Sequence, residues 1–179
     1  MYQLKSQYKI KEGDHESQNQ ISEEVGRLVN DLAFDRVEEL VKTSGGTAIV
    51  GGLHYMKKHA KYISPTIIKN PNMNSRLMTE EIFGPVLPIA TYKSFNDVIK
   101  KINSGEKPLA IYFAGSTSSK NFLRLQNETS SGNISTNDVL HHTLDVELGF
   151  GGVGHSGQGR VGGYEAFKQW SNAKSIVTK

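Results

Sequence analysis

Glu80-Glu81-Ile82-Phe83-Gly84-Pro85 concentrates more usable chemistry than any other stretch of this chain. A carboxylate can accept two hydrogen bonds from a diol such as that of a ribose, and a nearby ring can pack on a flat heterocycle. Along an extended segment Glu81 and Phe83 share a face, because strand side chains alternate with period two. The same six residues also read as a helix end with surface glutamates and a core Phe. Taken alone, that plainer reading is favoured. Covalent chemistry is poorly provided for: the chain has no cysteine, and no serine is paired with an evident His and acid to act as a nucleophile instead.

The second concentration is of glycine. The chain has 18, many of them between Gly149 and Gly163, and glycine in such numbers suits a loop that passes close to another backbone or to a ligand. Gly152-Val153-Gly154-His155-Ser156-Gly157 matches G-x-G-x-x-G literally. A dinucleotide fingerprint also needs a strand before it and a helix after it. Asp145, Glu147 and Gly149 interrupt the first, and Gly159, Gly162 and Gly163 the second, so the Rossmann reading is rejected. His141, His142 and His155 lack carboxylates or cysteines at ligand spacing, and His141 and His142, read on a strand, face opposite ways. No metal site is expected. Trp170, at the end of a helical turn, reads as a packing residue.

The elements that position these residues are legible from spacing. Residues 1–25 form a poorly patterned N-terminal arm. Asn30 or Asp31 caps a helix that turns Leu32, Val37, Leu40 and Val41 inward and ends at Gly45-Gly46. Thr47 to Val50 is a strand, and Tyr62 to Ile68 is extended, with Pro65 at an edge or turn. Asn74 or Ser75 opens a short helix through Glu81, which Pro85 cannot continue. Val86 to Tyr92 is a strand interrupted by Pro88. Ser94 with Asp97 forms a variant capping box before a helix carrying Phe95, Val98, Ile99 and Ile102, which Gly105 stops. Leu109 to Ala114 is a near-continuous apolar run, as expected of a strand covered on both faces. Ser118 or Ser119 opens a helix with Phe122 and Leu125. Asn133 to Thr136 is a strand, Tyr164 to Trp170 a helical turn, and Ser175 to Thr178 a closing strand. The order predicts an α/β fold, a mostly parallel sheet flanked by helices, in one domain with a tail.

Composition bounds the function classes. With 179 residues and 36% hydrophobic content the chain suits a globular class. No apolar run reaches the roughly 20 residues that span a bilayer, and no signal or transit peptide is evident, so a cytoplasmic location is expected. The net charge of +3 is dispersed, with only the isolated pairs Lys57-Lys58 and Lys100-Lys101, so no nucleic-acid partner is expected.

Several blocks occur in order around the hexapeptide: Ser64-Pro65-Thr66-Ile67-Ile68, Val86-Leu87-Pro88-Ile89, Glu106-Lys107-Pro108-Leu109-Ala110-Ile111-Tyr112, Glu128-Thr129-Ser130-Ser131-Gly132, Asn137-Asp138 and Phe150-Gly151-Gly152-Val153-Gly154-His155-Ser156-Gly157. The series resembles the C-terminal catalytic-domain part of the aldehyde dehydrogenase superfamily, and the Lys-Pro-Leu-Ala and Thr-Ser-Ser-Gly blocks resemble its class 3 or fatty-aldehyde branch. The match runs from about Gly26 to the end, and Phe34-Asp35-Arg36-Val37 is part of it. The resemblance implies NAD(P)-dependent oxidation of aldehydes, medium- or long-chain or aromatic, to carboxylic acids. It implies that Glu81 binds the nicotinamide ribose and Phe83 packs near the nicotinamide. It places Asn137 near the substrate side, and Phe150, Gly151, Gly152 and Gly154 in a loop beside the catalytic centre.

The chain departs from the family's pattern where the chemistry is hardest. The resemblance places the nucleophilic cysteine, the general-base glutamate, the oxyanion-stabilising asparagine and the cofactor-binding domain upstream of Met1. Gly149 stands where the family usually carries Pro, which loosens the start of the loop. The expectation is a truncated catalytic domain over 26–171, inactive alone and without tight hold on NAD or NADP. Residues 172–179 match the family's oligomerisation strand. The alternative is a non-catalytic interaction subunit that forms a homodimer or pairs with a full-length relative through that strand.

Overall fold

The computed structural model describes residues 21–179. Residues 1–20 of the expected arm lie outside the described residues. The chain divides into two compact units, Met1–Thr91 and Tyr92–Lys179, a boundary inside the stretch that the sequence reads as one domain.

The first unit is built on helix α1, Asp31–Lys42. Asn30 caps it, its Oδ1 accepting from the Ala33 N–H at 2.8 Å, while Asp31 and Lys42 suit the helix dipole at either end. Phe34, Val37, Leu40 and Val41 are buried along one stripe. Leu32, expected inside, is 80% exposed. Two residues of helix rotate it about 200° from Phe34, off the stripe. Strands β1 (Thr47–Val50), β2 (Thr66–Lys69) and β3 (Val86–Ile89) form a sheet in the order β1-β2-β3. β1 and β2 run antiparallel with an irregularity between Ala48 and Val50, whereas β2 and β3 run parallel, with Thr66 opposite Val86 and Ile68 opposite Pro88. Pro88 is tolerated because β3 is an edge strand within this sheet. The parallel crossover carries the short helix α2, Arg76–Thr79. Phe34, Val37, Leu40, Val41, Met56, Ile63, Ile68, Leu77 and Val86 form one core cluster. Full burial of an apolar side chain such as Phe34 contributes roughly 1.5–3 kcal/mol.

The second unit begins with α3, Phe95–Ser104, where the Asp97 carboxylate accepts from the Ser94 N–H at 3.1 Å and Gly105 closes the helix. β4 (Ala110–Phe113) and β5 (Asn133–Thr136) form a two-stranded parallel ladder connected through α4, Lys120–Glu128. Ser119 caps α4, and Phe122 and Leu125 are its buried residues. The expectation that β4 is covered on both faces fails, since Tyr112 is exposed. One helix and one neighbouring strand do not enclose an apolar run of this length. His141 and His142 stand on a short helix α5, His141–Leu144, not on a strand. α6 spans Gly163–Gln169. Trp170, expected to pack, is 91% exposed: it caps the end of α6, where nothing in this unit covers the ring. Residues 172–179 carry no regular secondary structure, so the closing strand has no ladder partner among the described residues. Among the described residues two of the three strand pairings are parallel, as the α/β reading requires, but they belong to two small sheets instead of one.

Candidate functional site

The two carboxylates of the hexapeptide have different fates. Glu80 closes α2 and takes a two-pronged ion pair from Arg76, at 2.5 and 3.0 Å. The Arg76 guanidinium holds its carboxyl below the usual glutamate range, chiefly by hydrogen bonding. Glu81 is exposed, and its carboxylate has no hydrogen bond or ion pair among the described residues. Phe83 is 74% exposed, which overturns the reading of it as a core ring. Its φ of +46° overturns a second expectation as well: the backbone leaves the extended region at Phe83, so period-two alternation does not fix its face relative to Glu81.

A left-handed Phe costs roughly 1–2 kcal/mol, and the surrounding contacts hold it there. Arg36, on α1, donates from Nη1 to the Glu81 carbonyl at 3.0 Å and from Nη2 to the Ile82 carbonyl. Val37, one residue on, lies so near Gly84 that a Cβ there would meet its methyls at 3.1 Å. The Pro85 carbonyl accepts from the Thr66 N–H at 2.9 Å, tying the far end to β2. One turn of α1 and the start of β2 thus clamp the backbone while leaving the Glu81 and Phe83 side chains outward. Beside the clamp lies an apolar cleft of about 400 Å³ whose lining includes Val50, Ile67, Gly84, Pro85, Val86 and Leu87. Glu81 and Phe83 are not in its wall. A free carboxylate can accept from a sugar diol, and an exposed ring can pack on a flat heterocycle.

The remaining candidates lie in the second unit. Asn137 sits at the end of β5 with φ +58°. Its Oδ1 accepts from the Gly115 N–H at 2.8 Å and its Nδ2 donates to the Gly115 carbonyl at 2.9 Å. The amide is therefore spent tying the ends of β4 and β5 together. Phe150 bridges Val161 through a pair of backbone hydrogen bonds of 2.7 and 2.8 Å, closing the neck of the glycine loop. Its ring lies 5.7 Å from that of His142, which is buried and also 5.6 Å from Tyr112. Gly151 and Gly152 are compelled by close approach: a Cβ would stand 2.1 Å from the Gly159 carbonyl oxygen and 2.2 Å from that of Ser156. Gly154 opens a short 3-10 turn, Gly154–Ser156, at φ +65°. No strand precedes this turn over 145–149, unlike a dinucleotide-binding loop.

Arg160 secures the loop from below. Nη1 donates to the Gly149 carbonyl at 2.9 Å and Nη2 to the Gly132 carbonyl at 2.8 Å. Arg36 and Arg160 were not legible in advance. Both bind carbonyls, which every residue has, and Arg36 reaches 45 positions along the chain. Exposed His155 pairs with exposed Glu106 at 2.8 Å. Among the described residues no group of three or more His, Asp or Glu is placed to hold a metal ion, and no helix is long and apolar enough to cross a membrane.

Residues 3–176 match the model of the aldehyde dehydrogenase family. The chain belongs to that family. It is 39% identical over 162 residues to the dimeric NADP-preferring aldehyde dehydrogenase of Rattus norvegicus, covering 88% of this chain and 34% of that protein. It is 40% identical over 153 residues to aldehyde dehydrogenase family 3 member A2 of Mus musculus, covering 86% and 31%. A Staphylococcus aureus AldH solved in a substrate-bound state superposes with a TM-score of 0.78 at 32% identity, over 99% of this chain and 38% of that one. The chain spans about a third of the length of the relatives it matches.

Proposed function

We propose that this chain supplies the cofactor-facing loop and the substrate-side loop of an NAD(P)-dependent aldehyde dehydrogenase of the class 3 or fatty-aldehyde type, and that it does not oxidise aldehydes alone. The observation that carries the reading is the clamp on Glu81-Ile82-Phe83-Gly84, which fixes the backbone and leaves a carboxylate and a ring free. Glu81 would hold the nicotinamide ribose through its diol and Phe83 would pack near the nicotinamide, which as the bound cofactor accepts the hydride. The chain's own part is to orient and shield: Arg36, Val37 and Thr66 fix the cofactor loop, while Phe150, Gly151, Gly152 and Gly154, held by Arg160, form the substrate-side loop. Asn137 contributes to the second loop as a brace between β4 and β5. Aldehyde oxidation by this route also needs a nucleophilic thiolate, and this sequence contains no cysteine.

The test is NAD(P)H formation at 340 nm by the purified polypeptide with aliphatic and aromatic aldehydes. No turnover is expected, and turnover abolished by Glu81→Gln would refute the inactivity half of the reading. A second reading has its own observation: Ile176 and Val177 are highly exposed on a segment without regular structure. An unpaired apolar segment of this kind suits strand addition to another protomer. Co-purification with a full-length relative, lost on deleting residues 172–179, supports that reading. A chain that remains monomeric and ignores its relative removes it.

A further inference from the structure

The Phe34-Asp35-Arg36-Val37 block divides its work in the structure, and the share of Arg36 deepens the proposed function. Phe34 and Val37 are core residues, and Asp35 pairs with Lys58 at 2.6 Å on the surface. Val37 also packs against Gly84 of the hexapeptide, and Arg36 is the one that reaches its backbone carbonyls. It grips two consecutive carbonyls, those of Glu81 and Ile82, immediately before the left-handed Phe83. Two successive carbonyls held by one planar guanidinium fix the two peptide planes that meet at Ile82, because the donors of Arg stand in a rigid fork. A lysine ammonium cannot reproduce that fork, since it is a single point charge on a flexible stem. The ion pair of Glu80 with Arg76 holds the other side of the same turn, so Glu81 lies between two arginine-held positions while its own carboxylate is unclaimed.

We propose that Arg36 is the positioning residue of the cofactor loop: its guanidinium sets the backbone on which Glu81 and Phe83 meet a nicotinamide dinucleotide. The inference rests on the cofactor reading of those two residues. Arg36 acts through the orientation of the Glu81–Ile82–Phe83 backbone, to which its guanidinium is bonded.

The experiment uses the full chain, ¹⁵N,¹³C-labelled, with and without millimolar NAD⁺ or NADP⁺. Backbone secondary shifts of Phe83 report the left-handed conformation, and amide exchange at Ile82, Phe83 and Gly84 reports the order of the loop. Arg36→Lys is expected to move the Phe83 shifts toward ordinary extended values, to speed local exchange roughly tenfold, and to weaken the dinucleotide response by a similar factor. Glu81→Gln is expected to weaken the dinucleotide response with the loop shifts unchanged. Val41→Ala destabilises the same helix through the core, and it should leave the loop shifts in place. Unchanged loop shifts and exchange in Arg36→Lys overturn the assignment and leave the cofactor reading standing. Equal loop disturbance in Val41→Ala also overturns it, because Arg36 would then be acting only through helix stability. A chain whose loop amides ignore both dinucleotides overturns the cofactor reading, and the role of Arg36 with it.

Discussion

Gly132→Ala tests whether the glycine loop is packed against β4 and β5 as tightly as the structure requires. A Cβ at position 132 would lie 2.2 Å from the Gly151 carbonyl oxygen, 2.6 Å from that of Leu109 and 3.0 Å from the Gly152 Cα. Ordinary contact begins near 3.4 Å, so something must open by about 1.2 Å, and each neighbour is backbone. Position 132 itself is pinned, because its N–H donates to the Pro108 carbonyl at 3.0 Å and its carbonyl accepts from Arg160 at 2.8 Å. Overpacking of this kind costs roughly 1–3 kcal/mol, and one strained or lost hydrogen bond adds about 1. Against this, replacing glycine by alanine stiffens the unfolded chain and returns about 0.4–1 kcal/mol. The net expectation is a loss of roughly 2–3 kcal/mol, or a fall of about 1 M in the urea midpoint for an m-value near 2 kcal/mol/M. The assay is urea unfolding followed by far-ultraviolet circular dichroism. Gly105→Ala in the same unit is the control, since its Cβ would meet only the Ile102 carbonyl at 3.9 Å, and it should stay within about 0.5 kcal/mol of the parent. Equal midpoints for the two variants would refute the close approach of Gly132 to Gly151.

Phe83→Gly relieves the left-handed strain and forfeits little burial, so thermal melts should show a gain of up to about 1 kcal/mol even as the dinucleotide response is lost. Asn137→Ala removes both bonds to Gly115 and puts a less tolerant residue at positive φ. Chemical denaturation should show a loss of about 2 kcal/mol. Glu80 has its carboxyl held down by Arg76, so its contribution is present above the pKa of an unfolded glutamate and is lost as pH falls through the lowered folded value. Melting across the range from about pH 7 to pH 3 should therefore show a shallower acid limb in Glu80→Gln than in the parent. The same sign holds for Glu128 opposite Arg124.

Much of the local structure follows from the sequence because the deciding forces are local. Asn30 and Ser119 cap their helices, and Ser94 caps with Asp97, because a side-chain oxygen meets the orphan N–H groups of its own first turn, or a carboxylate three residues on answers the cap. Pro88, read as interrupting its strand, stands on β3 at an edge of its sheet, where the missing donor is tolerated. The family is legible in the ordered blocks from Ser64 to Gly157, and the absence of cysteine is a fact of the chain itself. Tertiary structure decided the rest. Leu32 is as apolar as its buried neighbours, and helical rotation from Phe34 places it off the stripe, whereas only the three-dimensional path shows that Trp170 faces outward. The i,i+4 spacing of Arg76 and Glu80 favours that pair on a helix, but only the folded backbone shows that Arg36 grips the Glu81 carbonyl and leaves its carboxylate outward. The left-handed turn at Phe83 and the grip of Arg36 arise from backbone carbonyls brought together across 45 positions, and carbonyls carry no side-chain signature. The glycines of the loop announce close approach in general, whereas the partners they must admit, Gly159, Ser156 and Gly132, are chosen only when the loop folds back on β4 and β5.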